Sequence, residues 1–182
     1  MNAGVKAIIN DIIRVEGGYS NNKNDRGGET MYGITEAVAR QNGYAGPMAN
    51  MPRTVAERIY YDRYVVVPWF DHVLAMSTRV GVELIDTGVN MGPARAAEFL
   101  QRWLNGFNGA RSGYQDLFVD SRIGPVTLAA LDSFLTWRGN EGEGVLLTAL
   151  NCTQGTRYLS ITEGNKSQRE FLYGWMRARV VV

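Results

Sequence analysis

VKAIINDIIRVEGGYSNN, from Val5 to Asn22, places a carboxylate where its own pattern calls for an apolar residue. Val5, Ile8, Ile9 and Ile12 recur at helical spacing and predict the buried stripe of a first helix running from Asn2 to Glu16. At ~100° per residue, Glu16 returns to within about 20° of Val5 on the helical wheel. It closes the stripe at the last turn, and Gly17 and Gly18 then stop the helix. An apolar surround and the negative end of the helix dipole both favour a neutral carboxyl, the form that donates a proton. An outward turn, or pairing with Arg14, is the alternative that position alone leaves open.

Around this helix the chain reads as α-rich. Gly17–Thr35, GGYSNNKNDRGGETMYGIT, lacks helical periodicity and suits an irregular hairpin or loop. A short helix follows Thr35 as N-cap and stops at Gly43. Thr54 with Glu57 forms a capping box that starts the next helix, and Pro68 ends it or the turn behind it. VGVELIDTGVNMG predicts a buried helix closing at Gly92, and Pro93 and Pro125 each suit the first turn of a further helix. GVLLTALNCTQGTRYLSI adds another, and Ser167 with Glu170 caps the last. The expected fold is mainly α, with a small hairpin or loop lobe after the first helix and a helical C-terminal half packed against it. A soft boundary is expected near Gly92, with the parts 1–92 and 93–182 forming one compact unit.

The composition excludes several classes. A net charge of +1 over 182 residues, with arginines scattered along the chain, gives no nucleic-acid-binding stripe. A helix-turn-helix DNA binder would need a basic helix face, and the candidate helices are mixed in charge. No segment is long and apolar enough for a stable membrane insertion. The single histidine, His72, leaves no multi-histidine zinc site, so no metal and no cofactor is expected. The single cysteine, Cys152, excludes an intramolecular disulfide and sits in an apolar helical stretch, where a small buried residue is expected. The start of the chain shows no signal peptide, which implies synthesis in a reducing cytoplasm and some other route out. A monomer is expected.

The polar segment supplies partners for Glu16. Asp25, Glu29 and Thr30 follow it, and Tyr19 and Tyr32 flank these groups. A helix-end acid facing a loop-borne carboxylate and hydroxyl suits glycoside hydrolysis. One group protonates the leaving oxygen while the other directs water or stabilises oxocarbenium charge. Taken singly, Asp25 and Glu29 also suit ordinary turns. Tyr60 and Tyr64, at helical spacing, read as core or half-buried residues.

RVEGGYSNNKNDRGGETMYGIT resembles the signature of glycoside hydrolase family 108, phage and prophage endolysins that act as N-acetylmuramidases. Glu16 matches that family's catalytic glutamate, and Gly17, Gly18 and Tyr19 match its neighbours. Asp25, Gly27, Gly28, Glu29, Thr30, Gly33, Ile34 and Thr35 match its second stretch, where Arg26 replaces a common proline. The segment is also similar to phage-type lysozymes, in which Glu, Asp and Thr occur in that order. Here Thr30 stands one residue nearer the aspartate, so either Asp25 or Glu29 can be the working partner.

NMGPARAAEFLQRWLN, DSRIGPVTLAAL and FLYGWMRAR resemble the peptidoglycan-binding region that follows the catalytic part in such proteins. The DSRIGPVT element taken alone reads better as a structural corner than as a glycan contact.

The resemblance implies a lysozyme-like fold with a catalytic region at 1–92 and a helical peptidoglycan-binding region at 93–182. It implies cleavage of the β-1,4 bond between N-acetylmuramic acid and N-acetylglucosamine, with peptidoglycan glycan strands as partner and bacterial lysis as outcome. Release to the wall is then holin-dependent. The alternatives are a lytic transglycosylase, which leaves 1,6-anhydro-muramic ends, and a non-catalytic wall-binding protein.

Overall fold

A computed structural model describes residues 1–21, 28–110 and 113–180. The chain forms two compact units, Met1–Val67 and Pro68–Val182.

In the first unit, α1 spans Ala3–Glu16, and Asn2 caps it by accepting from the amide of Gly4 at 2.8 Å. Its buried stripe is Val5, Ile8, Ile9 and Ile13, with Ile12 half-buried at the edge. The stripe ends one turn short of Glu16, which is exposed, so the expected apolar shielding of that carboxyl is absent. The last turn of α1 simply runs beyond the core. Two short antiparallel strands, β1 (Thr30–Met31) and β2 (Ile34–Thr35), form the hairpin, with Met31 opposite Ile34. Thr35 then caps α2 (Glu36–Gln41), accepting from the amide of Val38.

A single tight turn at Met48–Asn50 leads to α3, Arg53–Tyr61, which packs on α1. The Arg53 guanidinium donates to Asn10 Oδ1 at 2.7 Å, tying the two helices together. The capping box expected at Thr54 and Glu57 is not formed. Pro52 stands at the N-cap position, and Glu57 pairs with Arg53 Nε at 3.0 Å instead. A widened π turn, Asp62–Val66, prolongs α3 up to the proline.

The second unit is wholly helical: α4 (Phe70–Met76), α5 (Thr78–Met91), α6 (Pro93–Phe107), α7 (Pro125–Gly164, broken at Gly139) and α8 (Arg169–Arg179). Prolines open α6 and α7 as expected. The α4 segment carried no start signal of its own, because it begins from Trp69 in a left-handed conformation, φ 62°. The Ser167–Glu170 box is likewise not formed. Asn165 Oδ1 accepts from the Ser167 amide at 3.1 Å, and a tight turn precedes α8. Cys152 is exposed rather than buried, since α7 turns its Leu146–Leu150 face, not Cys152, to the core.

The DSRIGPVT corner is held from inside. Gln101, 1 % exposed, donates to Asp120 Oδ1 at 2.8 Å and to the Arg122 carbonyl at 2.9 Å, and accepts from the Ser121 amide at 3.0 Å. The Gln101 bond to Asp120, and then the Arg122 amide on the same carboxylate, lower the Asp120 pKa.

A second polar cluster joins α5, α7 and α8. Asp86 pairs with Arg179, and Gln154 donates to Thr87 Oγ1 at 3.2 Å. Burial, and then the Asp86 charge, push the Glu83 carboxyl up to about 7, against hydrogen bonds from Thr87 and Asn151.

Candidate active site

The site expected in the first unit is built on the end of α1 and the hairpin turn. Gly17, at φ 80°, ends α1, its amide bonding back to the Ile13 carbonyl. The link to the hairpin is a backbone bridge in which Ser20 and Thr30 exchange both hydrogen bonds, at 3.0 and 2.9 Å. Only Tyr32 and Gly33 connect the strands, and both have positive φ, 54° and 73°. Two successive left-handed residues make the turn that matches the twist of a hairpin. Glycine adopts this conformation freely. For tyrosine it is unfavourable by about 1–2 kcal/mol.

Tyr60 secures that turn. Its ring is buried and stacked on Tyr64, with centroids 6.3 Å apart, and its hydroxyl donates to the Tyr32 carbonyl at 2.7 Å. Burial, and then the neighbouring Glu16 charge, push the Tyr60 hydroxyl up to about 12, so it remains a donor. Gly33 completes the arrangement. A Cβ at this position would lie 2.5 Å from Glu16 Oε2 and 2.8 Å from Glu16 Cδ. The Glu16 side chain therefore rests directly on the backbone of the turn.

Of the residues expected at the site, Glu16 lies on this turn, and Tyr32 forms part of it, half-buried. Thr30 opens β1 and is half-buried. Glu29, just before it, accepts from Asn21 Nδ2 at 3.5 Å and is half-buried too. Among the described residues no hydrogen bond or ion pair joins Glu16 to Glu29 or Thr30. Tyr19 is 44 % exposed in the stretch between α1 and the hairpin. Asp25 lies outside the described residues.

Two members of the arrangement were not singled out as site residues in the sequence. Gly33 stands out in the sequence only as part of the DRGGETMYGIT motif, although a glycine suits the second position of a two-residue hairpin turn. Tyr60 carried no signal, because its partner is 28 residues away. Chemically, the geometry presents an exposed carboxyl resting on a preorganised turn, with a hydroxyl at the start of the adjoining strand and a second carboxylate just before it.

Among the described residues no group of three or more His, Cys, Asp or Glu is placed to hold a metal ion. No helix among them is long and apolar enough to cross a membrane.

Residues 9–92 match the family described as Glycosyl hydrolase 108, and residues 95–180 match the family described as Predicted Peptidoglycan domain. The resemblance carried by RVEGGYS and DRGGETMYGIT is thereby borne out. Among solved structures the chain is similar to SagA of Brucella abortus, with 24 % identity and a TM-score of 0.53 over 97 % of this chain and 88 % of that one. At that identity the two share a mainly helical, lysozyme-like fold. No curated protein matches the chain.

Proposed function

From a chain that joins a glycosyl hydrolase 108 region to a peptidoglycan domain, and is therefore a glycoside hydrolase acting on peptidoglycan, we propose an N-acetylmuramidase with Glu16 as general acid. Its bond is the β-1,4 linkage between N-acetylmuramic acid and N-acetylglucosamine. The observation that carries this reading is the seat of Glu16 on Gly33: an exposed carboxyl at a helix end, held by a turn that leaves no room for a side chain.

Glu16 protonates the glycosidic oxygen as the bond to the anomeric carbon breaks. Asp25 or Glu29 directs water to that carbon or stabilises its oxocarbenium charge, and Thr30 holds the water by hydrogen bond. Tyr19 and Tyr32 border the sugar. Catalysis belongs to residues 1–92 and wall binding to 93–182. The biological role is that of a monomeric phage-type endolysin, made in the host cytoplasm and released to lyse the wall.

The test is clearing of purified peptidoglycan by the parent and by Glu16→Gln. Loss of the proton donor lowers the rate by ~10²–10⁴-fold, and a variant that clears as fast as the parent refutes the assignment. Mass spectrometry of the products shows reducing muramic ends. Anhydro-muramic ends would make the protein a lytic transglycosylase instead.

A further inference from the structure

The second unit carries a groove along α6 and α7 that the corner and polar clusters described above do not use. Its floor is a row of three stacked rings. Trp103 lies on Phe107 with centroids 5.4 Å apart, and Phe107 on Phe134 at 5.6 Å. Phe99, Trp103, Gly106 and Phe107 share one face of α6 at helical spacing. The row is held rigidly: Trp103 Nε1 donates to Thr153 Oγ1 at 2.7 Å, and that hydroxyl donates to the Ala149 carbonyl at 3.0 Å.

A cavity opens at each end of the row. One, of about 150 Å³, is lined by Phe99, Arg102, Trp103, Gly106 and Thr153. The other, of about 270 Å³, is lined by Phe107, Phe134, Arg138, Glu141, Gly142 and Val145. A cavity of about 150 Å³ accommodates a molecule the size of benzene, so each suits one or two small side chains better than a disaccharide.

The charges at the two mouths indicate the occupant. Arg102 is exposed and only loosely paired with Glu98, at 3.5 Å. The Arg138 guanidinium lies 3.7 Å from the centre of the Trp137 ring, which holds its head at the second mouth beside Glu141. In peptidoglycan the peptide-substituted glycan strand is uncharged. Its carboxylates and its free amine belong to the stem peptide, whose small apolar parts are alanine methyls. Aromatic-walled cavities flanked by two arginines and one glutamate complement that peptide in shape and in charge.

We propose that this groove binds the stem peptide of peptidoglycan, with alanine methyls in the cavities and Arg102 and Arg138 on its carboxylates. The proposal rests on the reading of peptidoglycan as the substrate and names the part of it that the second unit grips.

Gly106 provides a clean probe. A Cβ there meets nothing nearer than Trp103 Cε3, at 3.9 Å, so Gly106→Leu fills the first cavity without disturbing the fold. Binding to insoluble sacculi is measured at 4 °C with the full chain carrying Glu16→Gln, alone and combined with Gly106→Leu or Arg138→Glu. Both added changes are expected to weaken binding at least tenfold with melting temperature retained. Sacculi stripped of stem peptides by an amidase are expected to bind as weakly. Unchanged binding in both variants overturns the groove, and equal binding to intact and stripped sacculi overturns the peptide as occupant. Failure of the Glu16→Gln chain to bind sacculi of either kind overturns the peptidoglycan reading itself.

Discussion

Glu16 and Gly33 are in direct contact: a Cβ at position 33 would fall 2.5 Å from Glu16 Oε2 and 2.8 Å from Glu16 Cβ. The family signature therefore has a physical reason at this glycine. It supplies the left-handed turn, φ 73°, and it leaves the space that the carboxyl side chain occupies.

Gly33→Ala is predicted to impair catalysis beyond its effect on stability. Gly43, also left-handed at φ 81° but with nothing within 4 Å of its Cβ position, is the control. Each substitution imposes about 1–2 kcal/mol of backbone strain, roughly 2–4 °C of melting temperature per kcal/mol for a chain of this size. Only Gly33→Ala also displaces Glu16. Melting curves beside peptidoglycan turnover check this, and equal residual activity in the two variants would contradict it.

Tyr60→Phe removes the hydroxyl that holds the Tyr32 carbonyl and leaves a strained turn without its anchor. The expected loss of stability is about 1–2 kcal/mol. Because Glu16 rests on this turn, kcat is expected to fall several-fold while KM changes little. A purely structural tyrosine would lower the melting temperature and leave kcat per folded molecule unchanged, which active-site titration of the variant distinguishes.

The second unit is predicted to lose stability between about pH 4.5 and pH 7. Glu83 has its carboxyl raised to about 7 by burial and by Asp86, so the folded state holds a proton that the unfolded chain releases at about 4.5. The resulting stabilisation is fully present below pH 4.5 and is lost as pH rises through 7, at most about 3 kcal/mol. The groups around it are Asp86 and Thr87 on α5 and Asn151 on α7, with Arg179 on α8 paired to Asp86. Chemical denaturation at several pH values tests the slope. Glu83→Gln should flatten it, and an equal slope in that variant would assign it elsewhere.

Cys152, exposed on α7, is predicted to react with a thiol reagent in the native state within about tenfold of its rate in the unfolded chain. Strong native-state protection would show that the thiol is covered.

The local code was legible where neighbours in sequence decide the outcome. Asn2 and Thr35 cap helices, Pro93 and Pro125 open them, and Gly92 ends one, because each acts on backbone groups within a turn of itself. Local signals failed where another local partner competed. Arg53 took Glu57 from its expected capping box, and Asn165 took the amide of Ser167.

The sequence by itself determined a mainly helical chain, a carboxyl at the end of its first helix, and the family to which those motifs point. Only the tertiary structure decided that the stripe ends before Glu16, that Gly33 forms its seat, and that Tyr60 locks the turn. The reason is range. A wheel position or a cap depends on residues within one or two turns, whereas exposure and contact depend on which distant segment the packed core brings alongside.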